Sequence, residues 1–174
     1  MSVIDTLIFD RTAEDVENAK NLAKDLAKKI KNGEATQSDI DAWNAGNLKG
    51  CYNLSDIRRI TAAMTYIQTA FSALGITITL TLSTADINSI NNATNSTIFD
   101  STFLAKIISS LNNVKNSVDI STPAIPSSFN YLNYITANNI EKMLFDVYTS
   151  GMKAYLYKHS GSPSAISGFE GIII

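Results

Sequence analysis

Apolar residues recur at helical spacing through most of this chain, and the polar residues between them mark where each helix begins and ends. Val16, Ala19, Ala23, Leu26 and Ile30 share one face, spaced by three and four. Thr12 precedes them as an N-cap with Asp15 three residues on. Glu14, Asp15 and Glu17 gather at that end and Lys28, Lys29 and Lys31 at the other, as the helix dipole favours. Asn32-Gly33 ends the helix. Thr36 caps a shorter helix carrying Ile40 and Trp43, stopped at Gly46, and Gly50 centres the turn that follows. Ser55 then reads as the cap of a third helix. Its positions Ile57, Ile60, Met64, Ile67, Phe71 and Leu74 alternate by three and four without a break, the pattern of a helix–helix seam. Thr84-Ala85-Asp86 opens a short helix. Ser101 caps one with Leu104, Ile107, Ile108, Leu111, Val114 and Val118 on its apolar face. Thr136 caps the last, with Ile140, Met143, Leu144, Val147 and Tyr148 inward and Gly151 as a point of loosening.

Two stretches have a different period. Ile76 to Leu82 reads Ile-Thr-Ile-Thr-Leu-Thr-Leu, which predicts a half-buried strand; a helix running on through Gly75 is the alternative. Val3 to Phe9 is apolar and partly β-branched, and predicts a short strand leading into the first helix. The chain closes on Ile172-Ile173-Ile174, each worth about 2 kcal/mol if buried. That end is expected to add a strand beside Thr6 to Phe9 or, alternatively, to a neighbouring subunit. The fold class is therefore mainly α: a helical bundle with a small β element near the termini and a candidate second one at 76–82. Residues 1–60 form an N-terminal helical segment, 61–120 a central segment read as a subdomain or insertion, and 121–174 a C-terminal helix and tail that pack with the first segment.

Charge changes the picture more than length does. Net charge is −2, which argues against non-specific nucleic-acid binding. Between Arg59 and Lys106 there is no Lys or Arg and only Asp86 and Asp100 are acidic, so the polar surface of that stretch is mainly Ser, Thr and Asn. Such a surface loses water cheaply and suits packing against neighbours; an Asn- and Ile-rich composition from AT-biased codons is the equal alternative. No apolar run approaches membrane-spanning length, and no basic stretch leads into an apolar core at the start, so synthesis in a cytoplasm without membrane insertion is expected.

Candidate chemistry is thin. The lone Cys51 excludes an internal disulfide and reads as a packing residue. The lone His159 lies in a glycine- and serine-rich stretch and reads as solvated. No metal-ligand spacing, nucleophile elbow or phosphate-binding loop is present, so no catalytic residue, cofactor or metal is expected. Asp39 and Asp41 beside Trp43 are the one pair that suggests a hydrolase of cell-wall sugars; the plainer reading is the polar face of an amphipathic helix. Tyr131, Tyr134 and Tyr157 suggest sugar stacking, with helix packing the plainer reading. Arg58 and Arg59 beside Asp56 read as ion pairs on a helix surface.

Two ordered blocks remain. The first is Asp10-Arg11-Thr12-x-x-Asp15-Val16, then Trp43, then Leu48-Lys49-Gly50-x-Tyr52-Asn53-x-Ser55-Asp56. The second is Pro126-Ser127-Ser128-Phe129, Leu132, then Thr136-Ala137-Asn138-Asn139-Ile140-Glu141-Lys142, Leu144 and Asp146-Val147. Together they resemble the motifs of small structural proteins encoded among tail and baseplate components of Firmicutes tailed phages and prophages. The chain departs from that pattern at Cys51, where alanine is expected, and in its tail. The resemblance implies a non-catalytic virion part, present in several copies, that assembles with tail, baseplate or fibre proteins. The expected contact residues are Ile57, Ile60, Met64, Ile67 and Phe71 on the seam and Ile172, Ile173 and Ile174 at the end. The alternatives from other classes are a carbohydrate-binding module of the host surface and a cell-wall-degrading accessory enzyme.

Overall fold

The computed structural model describes residues 2–44, 48–94, 96–130 and 132–160. They form a helical body with no strand among the described residues. A 3-10 turn at Val3–Thr6 leads to α1 (Ala13–Asn32), α2 (Gln37–Asn44), α3 (Leu54–Ser72), α4 (Thr84–Asn92), α5 (Ser101–Lys115) and α6 (Tyr134–Asp146). A π-turn at Val147–Gly151 carries α6 on into α7 (Met152–Ser160). The α3 helix is the hub, packing against the 3-10 turn, α4, α5 and α6.

Helix starts follow side-chain chemistry. Thr12 accepts the Asp15 N–H while Asp15 accepts that of Thr12, so two orphan donors are satisfied reciprocally. Ser83 and Asp86 do the same for α4. Three caps lie slightly upstream of the expected residue: Asn53 rather than Ser55, Asp100 rather than Ser101, and Asn133 rather than Thr136. Each expected residue has a good capping side chain, but an amide or carboxylate just before it competes successfully. Gly75, in the left-handed region at φ 78°, turns the chain out of α3, so the helix does not run on.

One core joins these elements. Ile60, Met64, Ile67 and Phe71 of α3 are fully buried with Ile107, Leu111 and Val114 of α5 and Ile140, Met143, Leu144 and Val147 of the C-terminal rod. The expected division at residue 60 falls inside α3, and the central helices share this core with both flanking segments. By contrast α1 buries only Ala19 and packs chiefly on α2, leaving Leu22 and Ile30 exposed.

The expected β elements are absent among the described residues, for a physical reason. From Ile76 to Leu82 burial alternates as a strand requires, with Ile78 and Leu82 inward. Yet helix side chains, not a second strand, satisfy its backbone. Ser110 Oγ accepts the N–H groups of Thr81 (2.9 Å) and Leu82 (3.1 Å). Gln68 donates to the Ile78 carbonyl and Asn113 to that of Thr79, both at 2.7 Å. The same substitution occurs at the start of the chain. There Val3–Thr6 is a 3-10 turn, and the extended residues after it pair with side chains of α6. The isoleucines at 172–174 lie outside the described residues.

Candidate functional site

The two sequence blocks meet in space. Arg11 and Glu141, 130 residues apart, form an ion pair at 2.6 Å, with 2% and 0% of their side chains accessible. Arg11 also reaches Asp56 at 2.8 Å. Arg59, one turn along α3, pairs with Asp56 and sets its Nε 2.8 Å from Glu141. Two cations and two anions thus neutralise one another inside the protein. Glu141 further accepts the Ile8 N–H at 2.6 Å, and Asp56 the Asn53 N–H at 2.7 Å. Arg59 is therefore not the helix-surface residue expected: burial opposes its charge, but Glu141 and Asp56 hold its pKa above the ordinary value. Arg58 is also committed, donating to the carbonyls of Ile90, Asn91 and Ala93 at the end of α4.

Several neighbouring motif residues support this cluster. Asn138 accepts the Arg11 N–H at 3.0 Å and donates to the Arg11 carbonyl at 2.8 Å, as a partner strand would. Lys49 pairs with Asp10 at 2.7 Å. A Cβ on Gly50 would sit 1.9 Å from the Asp15 carbonyl oxygen, so only glycine lets the 48–50 turn touch α1. Tyr52 lies against the Arg11 guanidinium, 5.5 Å from it. Its hydroxyl is buried without a hydrogen-bond partner, and burial pushes its pKa well up. This arrangement fastens residues 8–11 to α3 and α6.

The Arg59–Asp56 pair is legible in the sequence as neighbours on one helix, but its closure with Arg11 and Glu141 is not. The inward placement of both carboxylates is legible too. Asp56 precedes Ile60, Ala63 and Ile67 at spacings of four and three, and Glu141 falls between Ala137 and Leu144 in the same way. Each carboxylate occupies an inward position on a helix, where charge is tolerated only when paired.

The other candidate residues are dispersed. Ile60, Met64, Ile67 and Phe71 are wholly buried within the chain, and so are core, not contact surface. A regular three–four seam looks the same whether its partner is the same chain or another. Ile57 is half-buried and lines a cleft. Asp39 is tied to Lys29 at 2.5 Å and caps Thr36, and these bonds hold its carboxyl well below the usual range. Asp41 is exposed and accepts from Gln37 at 2.8 Å. Tyr134 is half-buried and Tyr157 exposed, while Tyr131 and the side chain of His159 lie outside the described residues. Burial pushes the Cys51 thiol pKa up, as does the charge of Asp56. Among the described residues no cluster of His, Cys, Asp or Glu has the makings of a metal site, and no helix is long and apolar enough to cross a membrane.

The cleft beside Ile57 has a volume of about 330 Å³. Trp43, Tyr52, Leu54 and Phe99 are among its walls, with Asn53, Thr94 and Thr97 as polar lining. No acidic or basic side chain is among its described lining residues. Comparison with protein-family models, curated proteins and solved structures finds no match to this chain.

Proposed function

We propose that this chain is a structural component of a phage tail or phage-tail-like particle, in the baseplate or fibre region, acting by protein–protein assembly. The observation that carries this reading is the convergence of the two motif blocks on one buried ion cluster. Residues that resemble the phage-protein pattern here build a scaffold. Arg11, Asp56, Arg59 and Glu141 spend their charge on one another, and Asn138, Gly50 and Asn53 fix the backbone around them. The low-charge skin of the central segment agrees with a protein whose surface is meant to be covered.

The test is mass spectrometry and affinity-gold labelling of purified tail particles from the producing bacterium. The reading expects the chain in the particle at several copies, at the baseplate or fibre end. A chain absent from particles whose other tail proteins are all recovered overturns it. The hydrolase alternative gains no support from the geometry, since Asp39 is committed to Lys29 and Thr36. The carbohydrate alternative gains none from Tyr134 and Tyr157, which are not in ring contact with each other.

A further inference from the structure

The strand-like stretch that begins at Ile76 aims its backbone bonds alternately at two helices. Asn113 donates to the Thr79 carbonyl at 2.7 Å and Ser110 accepts the Thr81 N–H at 2.9 Å, so residues 79 and 81 face α5. The Phe71 carbonyl accepts the Ile76 N–H at 3.0 Å and Gln68 donates to the Ile78 carbonyl at 2.7 Å, so residues 76 and 78 face α3. In an extended chain the N–H and C=O of one residue point to the same side, and every second residue repeats that direction. The Ile78 N–H and both backbone groups of Leu80 therefore lie along the edge that faces α3. None of the three has a partner among the described residues.

Between that edge and α3 is a recess of about 380 Å³, lined by Gln68, Thr69, Ser72, Thr77 and Ile78. No side chain in this lining is charged. The edge also lacks the devices that keep exposed strands from pairing, since residues 76–85 contain neither a charge nor a proline. Gln68 reaches across the recess to a single carbonyl, in the place where a neighbouring strand would offer its own N–H. The donors of Ile78 and Leu80 are left for carbonyl oxygens to take.

We infer that this edge takes up an extended, uncharged peptide arm of another protein as an added strand, with the arm's carbonyls accepting from Ile78 and Leu80. The unpaired backbone sets the arm's form. The hydroxyl and amide lining sets its character: side chains that are short and neutral, because nothing in the recess offsets a charge. A second copy using the same edge does not fit. Its own α3 flanks that edge, and paired strands lie only about 4.8 Å apart, which leaves no room for two helices in the gap. The inference rests on the assembly reading for the class of protein that carries the arm, a tail or fibre neighbour, but the two fail separately. An edge that takes no peptide, in a chain still found in tail particles, sinks the strand addition alone. A chain that takes the peptide but is absent from particles sinks the virion assignment alone.

The full chain is titrated with the blocked peptide acetyl-Ser-Thr-Val-Thr-Val-Thr-Ser-amide, and with the same peptide N-methylated at every residue. The first is expected to bind and to slow amide exchange, followed by NMR, at Ile78 and Leu80. Exchange at Thr81 and Leu82 stays as it was, because Ser110 already holds those N–H groups. The methylated peptide keeps the side chains but crowds both of its edges, so it gives no protection. Thr77→Lys puts a charge and a long side chain into the recess from an exposed position. It should bind the first peptide at least about tenfold more weakly, with helix content and thermal midpoint unchanged, so misfolding is excluded. No binding at the highest soluble peptide concentration overturns the proposal. So does binding that leaves exchange at Ile78 and Leu80 unaltered, equal binding of the methylated peptide, or indifference to Thr77→Lys. Self-association that by itself protects amides 78 and 80 overturns the choice of occupant.

Discussion

Arg11 and Glu141 meet at 2.6 Å with essentially no access to water, and each holds a second partner of opposite charge. Removing two charges from water is costly, and their attraction repays it only when geometry and further hydrogen bonds are good. Here Ile8 N–H and Asn138 supply those bonds, so the pair joins the start of the chain to its last long helix.

Glu141→Ala should therefore cost about 3–5 kcal/mol, because it leaves Arg11 and Arg59 facing each other without their shared counter-ion. Arg11→Met with Glu141→Leu should cost clearly less than the two single changes summed. Urea unfolding of the four proteins in a double-mutant cycle measures this. Additive losses would show that the pair is not coupled.

Asn138→Ala removes both bonds to the Arg11 backbone and should lose about 1–3 kcal/mol by orphaning partly buried groups. Proteolysis should then cut within residues 5–12 faster than elsewhere. Unchanged cutting there would mean that Asn138 does not hold the segment.

Ser110→Ala tests the strand-like segment. Its hydroxyl alone accepts the N–H groups of Thr81 and Leu82, and Ser110 is fully buried. A loss of about 2–3 kcal/mol is expected. Hydrogen exchange should accelerate at amides 81 and 82 first. Ser110→Thr retains the hydroxyl and serves as the comparison.

Acid stability should depend on helix caps. The Ser83 backbone N–H, then its hydroxyl, then Lys106 lower the Asp86 carboxyl from 3.8 to about 2. A carboxyl depressed on folding stabilises the folded state above its unfolded pKa and loses that contribution as pH falls through the folded one. Between these values wild type should lose stability as pH drops, and Asp86→Asn should show a shallower slope over that window. Thermal midpoints measured at closely spaced pH check it; an identical slope refutes the assignment.

Gly50→Ala should destabilise strongly, by about 3 kcal/mol or more, since its Cβ would collide with backbone and not with a flexible side chain. A chemical-denaturation midpoint near that of wild type would show that the 48–50 turn moves away from α1 at little cost.

Much of the helical architecture was legible because its causes are local. Thr12 with Asp15 and the three–four stripes specify helices from neighbours along the chain. The inward set on the last helix, from Ile140 to Tyr148, is buried as its spacing requires. What the alternation at Ile76 to Leu82 could not reveal was the partner. It encodes which side chains face inward, and that is correct, but not whether a strand or Ser110, Gln68 and Asn113 complete the backbone. The seam on α3 had the same ambiguity, since α5 and α6 of the same chain cover Ile60, Met64, Ile67 and Phe71.

Sequence alone therefore determined the helices, their approximate ends, the alternation of burial and the low-charge surface, all of which depend on residues within a turn or two of each other. Only the tertiary structure decided that Arg11, Asp56, Arg59 and Glu141 belong together and that Trp43, Ile57 and Phe99 line one cleft. Those relations join residues tens to more than a hundred positions apart, and spacing along a chain carries no information about which distant charges or surfaces will be brought into contact.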